Sequence, residues 1–239
     1  MTEAEWLACT DPIEIAVFLG DTLGGDSLGD TIGDRKLRLF GCACVRGVWD
    51  YLPKNALCRA IETCERFADG LATAEELKAA EELADGTYQG IGNIIADHSA
   101  IAVGALCAPE PDFPMGTGSS AGIAAVAAEA WFNEEVPWHV AHAQAEQAHP
   151  HLLRDILGNP FRPVRRDPTY LTANVVNLAK ALYEERELPS GRLDNTRLGI
   201  LADVLEEAGC TNADILAHCR TPGPHVRGCW VVDLILGRS

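Results

Sequence analysis

The chain has 239 residues, 47% hydrophobic and 23% charged, with a mean hydropathy of 0.00 and a formal net charge of −16. That is a globular composition, long enough for one large helical domain or two small ones, and it excludes disordered and fibrous classes. Residues 71–150 hold 12 acidic groups and one basic group, a field that repels phosphate backbones, so no nucleic-acid partner is expected.

The opening MTEAEW is acidic where a secretory leader is basic and then apolar, and no apolar run reaches the ~18 residues of a membrane span. A cytoplasmic protein with no membrane partner is expected. A short helix around residues 3–8 brings Trp6 and Leu7 to one core. Thr10, Asp11 and Pro12 then supply an N-cap and an N1 proline for a helix carrying Ile13, Val17 and Phe18 at helical spacing. Residues 20–33 hold five glycines and read as a loop. Its aspartates at 21, 26, 30 and 34 invite a calcium reading, but the order and closing glutamate of a calcium loop are missing.

Asp34 can cap the next helix, whose stripe of Leu37, Phe40, Cys44, Val48 and Tyr51 leaves Arg35, Lys36, Arg38 and Arg46 mostly off it. Pro53 opens a second helix through Leu57, Ile61, Cys64 and Phe67 to Gly70, and the two form a hairpin. Nine cysteines, an odd number set mostly in apolar helical patterns, read as buried thiols in a reducing compartment. Cys42 with Cys44 point to different sides of a helix. Cys58 with Cys64 lie ~9 Å apart along one, beyond the ~4.4–6.8 Å Cα separation of a disulfide. A cross-hairpin bridge from Cys44 to Cys58 stays open.

Thr73 with Glu76 forms a capping box for a third helix. From there to about residue 150 the chain is alanine-rich, with 20 alanines among 80 residues, and small side chains bury little area each. Ser119 and Ser120 follow glycines but have no nucleophile elbow, and the same stretch lacks the lysine and strand of a phosphate loop. His139, His142, Glu146 and His149 share one helical face, compatible with metal or with a solvated polar face. Arg162, Arg165 and Arg166 are either a local nucleic-acid contact acting alone or a solvated loop. Amphipathic helices follow over 174–185 and 196–208, Asn212 caps another, and 230–236 closes the chain. The run from Cys229 to Val232 is β-prone and ambiguous by periodicity.

The pattern predicts an all-α, multi-helix bundle of roughly eight to ten helices with no substantial sheet. It comprises an N-terminal helical region (1–70), an alanine-rich acidic insert (71–158) and a C-terminal helical region (159–239) that packs with the N-terminal one as a single globular unit. Four residues, His218, Cys219, His225 and Cys229, offer the imidazole and thiolate ligands that zinc prefers. Against that stand the differing directions of adjacent helical residues and the absence of a paired C-x-x-C motif.

The strings MTEAEWLACTDP (1–12), DRKLRLF (34–40), ERFADG (65–70), LLRDILGNPFRP (152–163), ILADVLEEAGC (200–210) and HCR (218–220) with GPHVRGCW (223–230) resemble a paralogous family of uncharacterised bacterial proteins. That family brings no activity to transfer. Residues 197–209 are similar to a short bacterial repeat-companion domain, which implies an accessory or scaffolding setting. Loop 20–33 and the alanine-rich centre look expanded relative to the family. The functional expectation is a non-enzymatic protein-interaction or regulatory module with a protein partner. The alternative is a metal-binding protein or metal-dependent enzyme built on the His218–Cys229 group, and self-assembly of amphipathic helices is a third class.

Overall fold

The computed structural model describes residues 1–11, 14–15, 17–19, 33–47, 49, 56–87, 101–104, 106–107 and 149–238. Their regular structure is helical, with two isolated antiparallel bridges, Glu187 to Arg192 and Arg192 to Val226, in place of a sheet. The all-α expectation holds. No helix among the described residues is long and apolar enough to cross a membrane. The chain divides into two compact units, Met1–Pro150 and His151–Ser239. The second opens ahead of the boundary expected at residue 159, taking in the helical residues 151–157.

In the first unit, α1 (Glu3–Ala8) starts with a reciprocal capping box: the Glu5 amide donates to Thr2 Oγ1 and the Thr2 amide to Glu5 Oε2. Trp6 is fully buried with its ring centroid 5.9 Å from that of Phe18, whereas Leu7 is 58% exposed. The two were expected to share a core. Successive helical residues are ~100° apart, and so short a helix turns only one of them inward. Asp11 starts the next helical residues, its Oδ1 accepting from the Glu14 amide at 3.4 Å.

Helix α2 (Asp34–Arg46) packs on α3 (Ala56–Ala68), which packs on α4 (Ala74–Asp85). The N-cap of α2 is Gly33 rather than Asp34, whose carboxylate sits in the first turn, where the helix dipole favours negative charge. The Thr73–Glu76 capping box of α4 forms as expected. Arg38 and Arg46, read from sequence as lying off the apolar stripe, are both buried, because α2 is enclosed from Leu37 to Arg46. Charge survives there only when paired. Arg46 grips Glu65 through two hydrogen bonds of 2.6 and 2.9 Å and lies 4.7 Å from the Trp49 ring centroid. Arg38 donates to the Leu106 carbonyl and lies 5.1 Å from the Phe67 ring centroid.

The second unit has a 3-10 turn (Pro168–Tyr170) and four helices: α5 (Ala173–Glu184), α6 (Asn195–Glu207), α7 (Ala213–Arg220) and α8 (Trp230–Leu236). Thr172, Asp194 and Asn212 cap α5, α6 and α7 with side-chain oxygens that accept first-turn amides, which fixes where each begins. Helix α5 packs on α6 and α8, and α7 packs on α6 and α8. The core between them is aliphatic, with Val175, Leu182, Leu198, Leu201, Leu205 and Val232 at 0–1% exposure. Each contributes about 1.5–3 kcal/mol relative to an exposed position. The β-prone run resolves as helix: Cys229 is the N-cap of α8, and Val231 and Val232 are fully buried, so packing overrides propensity.

Arg162 pairs with Asp214 at 3.6 Å and Arg166 donates to the Ile235 carbonyl at the end of α8, both arginines being exposed. Cys44 and Cys58 are buried free thiols, so the bridge left open between them is not formed. Asp21, Asp26, Asp30, Pro53, Ser119, Ser120, His139, His142 and Glu146 lie outside the described residues.

Candidate functional site

Helix α7 leaves its Asn212 cap with Ile215, Leu216 and Cys219 turned into the core and His218 on the neighbouring face. The chain then runs through Pro222, Gly223 and Pro224 to His225. It turns at Gly228, whose φ of +94° is left-handed backbone that favours glycine, and enters α8 through Cys229. That turn returns Cys229 to His218: Nε2 and Sγ are 3.2 Å apart. His225 and Cys229 thus converge through a loop, the last helix beginning only at Trp230.

The centre of the group is Asp155, on helical residues 151–157. Its Oδ1 lies 2.6 Å from His225 Nδ1 and 3.2 Å from His218 Nε2, and its Oδ2 accepts the Val226 amide at 2.8 Å. One ligand-type atom from each of Asp155, His218, His225 and Cys229 lies within 4.8 Å of the others. Three of the four residues expected from sequence, His218, His225 and Cys229, are thus brought together. Cys219 is not: it is 2% exposed in the aliphatic core, one residue and about 100° round the helix from His218. Asp155 was missed. Its signal was an acidic residue between Leu153 and Ile156, both buried, in a helix with no other reason to bury a charge.

Hydrogen-bond bookkeeping places the protons. An indole nitrogen only donates, so Trp230 Nε1–H, 3.0 Å from His218 Nδ1, makes that nitrogen an acceptor. His218 therefore carries its proton on Nε2, shared between Asp155 Oδ1 and Cys229 Sγ. His225 Nε2 faces the Thr221 carbonyl at 2.9 Å and must donate to it, while Nδ1 faces a carboxylate and must donate as well. His225 is then an imidazolium paired with the Asp155 carboxylate. Burial works against both charges. Even so, hydrogen bonds from His218 and His225 hold the Asp155 carboxyl below its ordinary pKa, and the Asp155 contact raises that of His225. Burial, and next the nearby Asp155 charge, push the Cys229 thiol well above its usual range.

This arrangement is unsuited to thiol catalysis. A cysteine nucleophile needs a neighbouring imidazole nitrogen free to take its proton, with the other nitrogen held by a carboxylate. Here the nitrogen beside Cys229 already bears hydrogen, and the same nitrogen faces Asp155. Cys229 is fully buried and held as a thiol, the opposite of a reactive cysteine.

Zinc fits part of the set. Tetrahedral zinc with bonds of 2.0–2.3 Å holds its ligand atoms roughly 3.3–3.8 Å apart, so contacts of 2.6 and 3.2 Å would have to open. His225 has the outward N–H to a carbonyl that a metal-bound imidazole requires. His218 does not: metal on Nε2 moves the proton to Nδ1, against the Trp230 N–H.

Packing encloses most of the group, leaving the His218 side chain 17% exposed. Gly158, with φ +74°, sits under Trp230, and a Cβ there would lie 3.2 Å from the indole Cγ. The His218 ring lies 4.7 Å from that of His225 and 5.1 Å from that of Trp230. His149, the described member of the histidine stripe, is buried edge-on to Phe40 in the first unit. No protein-family model matches the chain, and neither a curated protein nor a solved structure is significantly similar to it.

Proposed function

We propose that the chain is a non-enzymatic protein-interaction or regulatory module, in which the Asp155 group is a polar lock that fixes α7, the 221–229 loop and α8 in one arrangement. The observation that carries this reading is that Asp155 spends its carboxylate on three internal donors, His225, His218 and Val226, at 4% exposure. Polar capacity consumed inside the fold is not offered to a substrate. What the second unit offers outward is the exposed face of α6, where Ile200, 49% exposed, stands with Asp203 and Glu207. That helix is the segment similar to the repeat-companion domain, and an apolar residue rimmed by charge suits a protein partner. The buried free thiols support a cytoplasmic setting.

The test is quantitative recovery of bound proteins from source cells with the full chain and with Ile200→Glu, a surface change expected to leave Tm unaltered. A partner held in stoichiometric amount by the parent and lost from the variant supports the reading. No partner above background with either protein contradicts it.

A second reading, zinc binding by Asp155, His225 and Cys229, is favoured by the His225 Nε2–H to Thr221 carbonyl contact. About one zinc per chain in protein purified without a histidine tag would place it first. Metal far below stoichiometry would retire it.

A further inference from the structure

In the first unit two thiols distant in sequence meet where no sequence motif announced a pair. Cys64 Sγ and Cys107 Sγ are 2.6 Å apart and both side chains are fully buried. Non-bonded heavy atoms settle about 3.5–4.0 Å apart, and a disulfide bond is ~2.05 Å long. The separation is therefore well inside contact and close to bonding.

The position is built from two sides. Cys64 lies on the enclosed face of α3 one turn after Ala60, and Cys107 Sγ is 4.0 Å from the Ala60 carbonyl, so Cys107 sits over that turn. On the other side the buried Arg38 of α2 donates to the carbonyl of Leu106, the residue before Cys107. A guanidinium at 1% exposure that holds a backbone carbonyl ties residues 106–107 to α2, which packs on α3, whether or not the sulfurs are bonded.

We propose that Cys64 and Cys107 are a disulfide-forming pair, closed by a small-molecule disulfide such as oxidised glutathione. The bond would tie α3 to helical residues 106–107 across 43 positions of sequence. During a local opening one thiol loses its proton, and the thiolate attacks a sulfur of the glutathione disulfide, releasing one glutathione thiolate. The second protein thiol, also deprotonated, attacks the protein-bound sulfur and releases the other. Two protein thiols are oxidised by two electrons, one glutathione disulfide is reduced to two glutathiones, and the two protons end on them. Cys64 is held as a thiol: the contact with Cys107, and next burial, raise its pKa well above its usual range. Closure is accordingly slow in the folded protein and faster when the segment opens.

The full chain is incubated with excess oxidised glutathione, quenched with acid, alkylated, and mapped by mass spectrometry. The expected product has lost two hydrogens, yields a Cys64–Cys107 linked peptide, and melts about 5–10 °C higher than the reduced protein. Dithiothreitol reverses the change. Cys42→Ser, which alters a third buried thiol of the same unit, retains the link, and Cys64→Ser loses it. Alkylation of all nine cysteines, glutathione left attached as a mixed disulfide, or a link mapping to another pair would each overturn the proposal. These three outcomes are read on the parent protein and do not depend on whether a serine variant folds.

Discussion

Replacing Asp155 with asparagine leaves the shape of the side chain almost unchanged and removes the feature on which the second unit depends. Asp155 accepts from His225 Nδ1 and His218 Nε2 on one oxygen and from the Val226 amide on the other. Asparagine has one acceptor oxygen, and its NH₂ must face a donor whichever way it is turned. At least one buried N–H then loses its partner, at about 1–3 kcal/mol, and the His225 imidazolium loses its counter-charge. Breaking a buried pair in this way costs about 3–5 kcal/mol, a large share of the 5–15 kcal/mol that holds a typical domain. In urea the midpoint of the second unit should fall by about 1–5 M, and exchange of the Val226 amide should accelerate by roughly 100-fold or more. Trp230, the one tryptophan of the second unit, reports its unfolding by fluorescence. A loss below about 1 kcal/mol, or a Val226 amide as protected as before, would refute the reasoning.

The pH dependence has a defined sign. The folded pKa of His225 is raised, so its contribution is complete below the unfolded value near ~6.5 and is lost as pH rises through the folded one; the Asp155 contribution, from a lowered pKa, is present above ~3.9 and lost as pH falls through the folded value. The stability difference between the parent and Asp155→Asn should therefore peak between about pH 4 and 6.5, and a difference that keeps growing above pH 8 would contradict the assignment. Trp230→Phe removes the donor to His218 Nδ1 and should cost about 1 kcal/mol in denaturant titration while letting His218 populate both neutral tautomers. Gly158→Ala places a Cβ 3.2 Å from the Trp230 ring at φ +74°, and a loss of about 1–3 kcal/mol in thermal unfolding is expected.

Local chemistry made much of this legible in sequence. Thr73 with Glu76, and Asn212, are caps whose side chains start the helices where their spacing says they should. The 3.6-residue period of Leu198, Leu201 and Leu205 marked the buried face of α6. What depends on distant residues stayed hidden. Arg38 and Arg46 read as surface charges because their partners, the Leu106 carbonyl and Glu65, lie 68 and 19 positions away. His218 and His225 were visible as candidates, but Asp155, 70 positions before His225, was not. Cys219 was included through chemical type alone, and helix geometry sends it to the opposite task of filling the core.

The central claim is a statement about protons, and ¹⁵N-detected long-range NMR of the histidine rings tests it directly. The account predicts one histidine, His225, protonated on both nitrogens, and one, His218, protonated on Nε2 alone with Nδ1 accepting from Trp230. His218 found with its proton on Nδ1, together with His225 protonated on Nε2 alone, is the pattern of metal-bound imidazoles and would contradict it.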